Sequence, residues 1–177
     1  MERHVVGSFA RHLHAEPDAV RWGIYVADCG FTEIQPGAVY PPLPESHLPE
    51  YLFTWKQGRT LDEYQLVYIS KGRGVFESRE TGRVRIEAGQ AFLLFPGVWH
   101  RFRPVRAVGW DENWIGFRGD VADRVMGEFF SPERAVVRVG QDHELLHLIR
   151  SIAGIMDVAP AGYQQIIGAR TLEALAI

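Results

Sequence analysis

The stretch YQLVYISKGRGVFESRETGRVRIEAGQAFLLFPGVWHRFR, residues 64–103, decides the fold. It reads as short strands joined by tight turns. Residues 64–70 are apolar on both faces, with Tyr64, Leu66 and Tyr68 opposite Val67 and Ile69, as expected of a strand between two layers. Lys71-Gly72-Arg73-Gly74 reads as a turn, because its glycines tolerate positive φ. Residues 75–78 return, Thr81-Gly82 turns again, and residues 84–87 alternate with period two. Ala88-Gly89 turns, residues 91–95 form a fully apolar strand, Pro96-Gly97 breaks it, and residues 98–103 follow.

Upstream, residues 22–27 (WGIYVA) read as the first strand, with Asp28-Cys29-Gly30 as its exit. Residues 1–21 have mixed polarity, hold His4, His12 and His14, and form either a loose arm or a short helix. Residues 35–50 hold five of the ten prolines. Proline fixes φ and removes an amide donor, so this segment is extended and hugs the surface. Residues 51–55 read as a strand, and Lys56-Gln57-Gly58-Arg59 as a turn.

Downstream, residues 105–109 form a loop and residues 110–117 (WDENWIGF) another strand. Trp110, Glu112, Trp114 and Gly116 share one face of it; Asp111, Asn113, Ile115 and Phe117 share the other. Asp120 caps a helix through Phe130, with Val121, Val125 and Phe129 at helical spacing. Residues 135–139 are a short apolar run. Asp142 caps a second helix to about Val158, whose stripe is Leu145, Leu148, Ile149, Ile152, Ile155 and Met156. Pro160-Ala161-Gly162 breaks it, and a third helix over residues 163–177 carries Ile166, Ile167, Leu172 and Leu175. Strands first and helices last argue for a β-sandwich or barrel with appended helices. The last helix stops without a cap, which reads as a chain cut before its next element.

Composition sets the outer bounds. The 177 residues suffice for one domain of ordinary size, or one plus an appendage. Eighteen glycines and ten prolines suit a turn-rich β protein. The net charge of -3 argues against a stand-alone DNA-binding module, which is usually basic. A single cysteine, Cys29, excludes an intrachain disulfide and leans towards a reducing, cytoplasmic setting. No signal peptide or membrane-spanning run is expected.

Residues 89–100 (GQAFLLFPGVWH) resemble the second half of a cupin: glycine turn, apolar strand, Pro-Gly, two residues, His. The wider pattern resembles the N-terminal ligand-binding domain of AraC-type transcription regulators. The matching pieces are YPP at 40–42, GRTLDEYQLVYISKGRG at 58–74, EAGQAFLLFPGVWHRFRP at 87–104 and WDENWIGFRG at 110–119, with FSPERAVVRVG and its two helices behind them. The resemblance implies a mainly β jelly-roll barrel at 22–119 that binds a small molecule, an arm at 1–21, and a helical region at 120–177 that pairs two protomers. It also implies a helix-turn-helix domain, absent here, of on the order of a hundred further residues. Carried over residue by residue, it nominates Arg59, Phe102, Glu112 and Trp114 as ligand contacts, with His100 as a neighbour. Phe102 stands where arabinose-type members have tyrosine, and Glu112 where they have histidine, which argues against arabinose itself. A sugar still fits, because a carboxylate accepts two hydroxyls and an indole stacks on C–H faces.

Each nominee has a bland alternative. Trp110 and Trp114 serve equally as core aromatics. His100 serves to end a strand through a backbone hydrogen bond, and Arg59 as a solvated charge or a partner of Glu63. Glu112, flanked by tryptophans, has to reach water or find a donor. Enzymatic chemistry has two openings. Cupin metal sites use His-x-His in the stretch matching residues 68–77, which has no histidine. His143-Glu144-Leu145-Leu146-His147 satisfies H-E-x-x-H, with Glu173 as a conceivable third ligand, but it begins beside its own helix cap and sits at the edge of an ordinary amphipathic stripe. His12-Leu13-His14 has metal-ligand spacing but lies outside the barrel pattern and reads as solvated. The expectation is therefore a sensor without catalytic residues, metal or cofactor. Its effector, most simply a carbohydrate, closes the barrel mouth beneath the arm and biases homodimer pairing.

Overall fold

A computed structural model describes residues 7–42, 51 and 53–177. His4, and residues 43–50 and 52 of the proline-rich and following segments, lie outside the described residues. Among the described residues eight strands curl round one interior, and the helices pack against the outside. The elements are β1 (Phe9–His12), α1 (Pro17–Trp22), β2 (Tyr25–Ile34), β3 (Tyr64–Ser78), β4 (Gly82–Glu87), β5 (Gln90–Leu94), β6 (His100–Pro104), β7 (Trp110–Arg118), α2 (Asp120–Phe129), β8 (Val136–Arg138), α3 (His143–Val158) and α4 (Tyr163–Ala176).

β3 joins the two sheets. Its first half pairs antiparallel with β5 and β7, and its second half with β4 and β6. Lys71 to Gly74 is therefore not a turn. The register against β7 slips between Ile69 and Lys71, and the strand bends there from one sheet into the other. Gly72 has φ +80°, and a Cβ on it would lie 2.2 Å from the Gly109 carbonyl oxygen. The glycine serves close backbone approach at a bulge rather than chain reversal. β2 and β7 complete the larger sheet, with Cys29 opposite Ile115 and Gly30 opposite Trp114.

Two upstream expectations change. Trp22 ends α1 instead of starting a strand: Pro17 opens that helix and Gly23, at φ 88°, closes it in the left-handed region. Asp28-Cys29-Gly30 is the middle of β2, not its exit. Residues 9–12 form an edge strand paired with β2. Tyr51, Phe53 and Thr54 do not form a strand; the chain turns at 55–57, and Arg59 bridges to His100.

The helices follow their caps. Asp142 accepts from the Glu144 and Leu145 amides, and α3 buries Leu145, Leu148, Ile149, Ile152 and Met156 within the common core. Tyr68 reinforces this start, its hydroxyl donating to the Gly140 carbonyl and accepting from the Asp142 amide. α2 departs from its expected face. Gly119 is the cap and Asp120 the first helical residue; Ala122 and Met126 are buried while Phe129 is 75% exposed. On α4, Ile167 is buried and Ile166 is 43% exposed. Among the described residues no helix is long and apolar enough to cross a membrane.

Candidate functional site

The interior is not uniformly filled. At one end of the barrel Phe76 stacks on Phe92 with ring centroids 4.7 Å apart, and the space is closed by side chains. At the other end a cavity of about 50 Å³ remains. Its walls come from β2, β3, β6 and β7, and Tyr40–Pro42, Tyr51 and Phe53 cover its mouth.

Arg59, Phe102, Glu112 and Trp114 all line this cavity. His100 does not. It stands behind them, stacked on Phe102 at 6.2 Å, and its Nε2 accepts from Arg59 Nε at 3.1 Å. Burial, with the Arg59 charge beside it, pulls the imidazole down to about 3. His100 is thus a neutral ring that orients the guanidinium. Its Nδ1 faces the Val98 carbonyl at 3.1 Å, so it also makes the backbone contact expected at a strand end.

Sequence reasoning missed Asp28, Gln65, Tyr40 and Tyr51. Asp28 and Glu112 project into the interior from β2 and β7. Asp28 accepts from Trp114 Nε1 at 2.6 Å and from Gln65 Nε2 at 3.1 Å. Gln65 Nε2 also donates to Glu63 at 2.9 Å, and the Tyr51 hydroxyl donates to Glu63 at 3.0 Å. Glu112 accepts from the Tyr40 hydroxyl at 3.1 Å. Trp114 can lie against β2 because Gly30 faces it; a Cβ there would come within 2.3 Å of the indole.

Three carboxylates, Asp28, Glu63 and Glu112, surround Arg59, and Arg118 reaches Glu63 from the other side at 3.8 Å. Burial, with Glu63 adding repulsion, raises Asp28 well above the usual carboxylate range. Burial pushes Glu112 up to about 7, partly offset by Tyr40 and Arg59. The Trp110 indole N–H makes no sound hydrogen bond, yet it lies near enough to favour the ionised Glu112. Thr32, opposite Glu112 in register, keeps a buried hydroxyl without a hydrogen-bond partner among the described residues. Arg59 stacks over Phe53 at 5.0 Å and Phe102 at 5.5 Å, and donates to the Tyr51 carbonyl. The site therefore offers carboxyl acceptors, one cation and aromatic faces within one small volume.

The other chemical candidates lie elsewhere. His143, Glu144 and His147 are exposed on the first turns of α3. His14 is exposed, whereas His12 is half-buried with its ring 4.4 Å from Tyr51, so it is packed rather than solvated. Among the described residues no group of three or more His, Cys, Asp or Glu is placed to hold a metal ion.

The AraC-like ligand binding domain family matches residues 43–175. No curated protein matches the sequence. Among solved structures, the chain is similar to YhaK from Escherichia coli, with 14% identity and a TM-score of 0.49 over 78% of this chain; it spans 52% of that one. It is also similar to a cupin protein from Bacteroides fragilis (12% identity, TM-score 0.41, 67% of this chain and 81% of that one). A predicted oxalate decarboxylase from Thermotoga maritima gives 15% identity and a TM-score of 0.40, over 63% of this chain and 80% of that one. Mainly β and cupin-like, with helices following its strands, the chain belongs to the AraC-like ligand binding domain family.

Proposed function

We propose that this chain senses a small polyhydroxylated molecule, most simply a sugar, and passes its occupancy to a DNA-binding domain through the pairing of two protomers. The observation that carries the reading is the cavity, where Asp28, Glu112, Arg59 and Gln65 stand among aromatic rings. Carboxylates accept hydroxyl donors, and indole or phenyl faces cover a sugar's C–H patches. The void of about 50 Å³ is far below the ~300–1,000 Å³ of ordinary ligand sites. In this reading the cavity is closed down by its own side chains. Ligand enters by displacing the cover at Tyr40–Pro42, which the Tyr40–Glu112 hydrogen bond holds down. A single buried thiol, Cys29, fits a cytoplasmic setting.

The α3 stripe is spent within the protomer, so pairing in this reading uses the outer side of α4, where Ile166 is exposed. Sedimentation velocity checks it: Ile166→Glu should shift a concentration-dependent dimer to monomer, and identical behaviour of variant and wild type would remove the seam. The reading includes no catalysis, and His143→Ala should leave any peptidase background and bound zinc unchanged.

Thermal-shift screening of mono- and oligosaccharides on wild type and Trp114→Ala tests the pocket. A ligand at 100 times its Kd stabilises by about 2.7 kcal/mol. A sugar that raises the wild-type Tm and not the variant's supports the reading. A panel that stabilises neither, or both equally, overturns it.

A further inference from the structure

The outer face of the smaller sheet is built differently from anything the cavity needs. In register across β4, β3 and β6 stand the rows Arg85–Val75–Arg103 and Arg83–Glu77–Arg101, with Glu87 opposite Arg73 beside them. With Arg106, six guanidinium groups meet two carboxylates on one face of a chain whose net charge is -3. Glu77 engages Arg83 at 2.8 Å and Arg101 at 2.9 Å. Arg73, Arg85, Arg103 and Arg106 make no side-chain ion pair or hydrogen bond among the described residues.

The loop at 53–59 lays Trp55 over this face. Its ring centroid lies 4.0 Å from the Arg103 guanidinium carbon, 4.4 Å from that of Arg101 and 5.5 Å from that of Arg83. Arg101 also donates to the Trp55 carbonyl at 2.7 Å, which fixes the loop. Beside the indole runs a groove of about 620 Å³ with Arg83, Arg103 and Arg106 on its rim. Val75 of β3 forms an apolar floor, with Val105 and the 74% exposed Val39 beside it.

We infer that this groove is an interaction surface for an acidic peptide segment of a partner protein, one carrying apolar side chains between its carboxylates. Rim arginines pair with carboxylates in bidentate fashion, and the planar heads of Arg83 and Arg103 are already ordered by stacking on Trp55. The valine floor and indole give apolar side chains somewhere to go. A phosphate backbone would satisfy the rim and leave that floor wet, so duplex DNA fits less well. The inference stands apart from what the cavity holds.

Fluorescence anisotropy on the full chain tests it, with three labelled probes of equal charge. They are a peptide alternating Glu with Leu and Phe, an oligoglutamate, and a duplex DNA. The mixed peptide should bind at least tenfold tighter than oligoglutamate and tighter than the duplex. The double charge reversal Arg85→Glu with Arg103→Glu should cut its affinity at least tenfold, with the fold checked by circular dichroism. Arg103→Lys, which keeps the charge, and Val39→Ser, which leaves the rim intact, should each give a smaller loss. No binding, equal binding of both peptides, preference for the duplex, or indifference to the charge reversal would each overturn the inference.

Discussion

The two faces of β7 are both largely hidden from solvent and chemically opposed. Ile115 and Phe117, on the outward face, are wholly buried in the core that α2, α3 and α4 complete. Of the polar residues on that face, Asp111 is only half-buried, and the buried one, Asn113, is fully matched: it donates to Ser70 and the Tyr68 carbonyl and accepts from Arg150 Nε at 3.1 Å. On the inward face, among the described residues, Glu112 has one hydrogen-bond donor, Tyr40, and beside it the Thr32 hydroxyl has no partner. Burial alone therefore does not mark a site. What distinguishes the inward face is polar capacity left over, next to empty space.

The contrast can be broken from either side. Arg59→Met removes the cation amid Asp28, Glu63 and Glu112, and uncompensated buried carboxylates should cost about 4 kcal/mol at pH 8. At pH 5, where Glu112 with its pKa of about 7 holds its proton, urea denaturation should show a smaller loss. Equal losses at both pH values would mean the guanidinium acts by packing alone. On the outward side, Ile149→Ala should cost about 3 kcal/mol by opening an apolar void, with no dependence on pH.

Glu112→Gln sharpens the comparison further. Its folded pKa near 7 lies above the ordinary 4.5, so between these values the folded state holds a proton that the unfolded chain has lost. The group's contribution to stability is complete below pH 4.5 and drains away as pH rises to 7, by about 3 kcal/mol. His100 runs the other way: its contribution is complete above pH 6.5 and lost as pH falls towards 3. The difference between the Gln variant and wild type isolates Glu112, and should improve by about 3 kcal/mol from pH 4.5 to 7.5. A flat difference curve would show an ordinary carboxyl. The smallest effect belongs to Tyr40→Phe. It should cost about 1 kcal/mol in urea and move the Glu112 titration, followed by carbon NMR, to higher pH, because one donor to the carboxylate is gone.

Much of this was legible in the sequence, and the misses have causes. The Asp142 cap and its aliphatic stripe specify α3 locally, so that helix matched at both ends. Both faces of β7 were readable from alternation, and Glu112 stood out as a carboxylate between indoles. Asp28 was hidden because Asp and Gly are turn residues; only the pairing with β7 shows that Gly30 makes room for Trp114. Gly72 misled for the same reason, since a bulge and a turn call for the same residue. Gln65 carried a signal that could have been used: it is the lone amide on the Val67–Ile69 face of an otherwise apolar strand. Tyr40 and Tyr51 come from segments whose place over the mouth depends on long-range packing, which local pattern does not encode.

Glu112 and Asn113 are consecutive residues that look into different rooms. The first meets the cavity. The second grips Arg150 of α3, whose guanidinium carbon lies 3.4 Å from the Phe31 ring centroid. One peptide plane links the two, and β7 is stiffened on either side by β2 and β3. Because β7 is held in register on both edges, the carboxyl that faces the cavity and the amide that holds Arg150 keep a fixed spacing. The chamber wall and the helical layer are thus bolted to the same short piece of backbone.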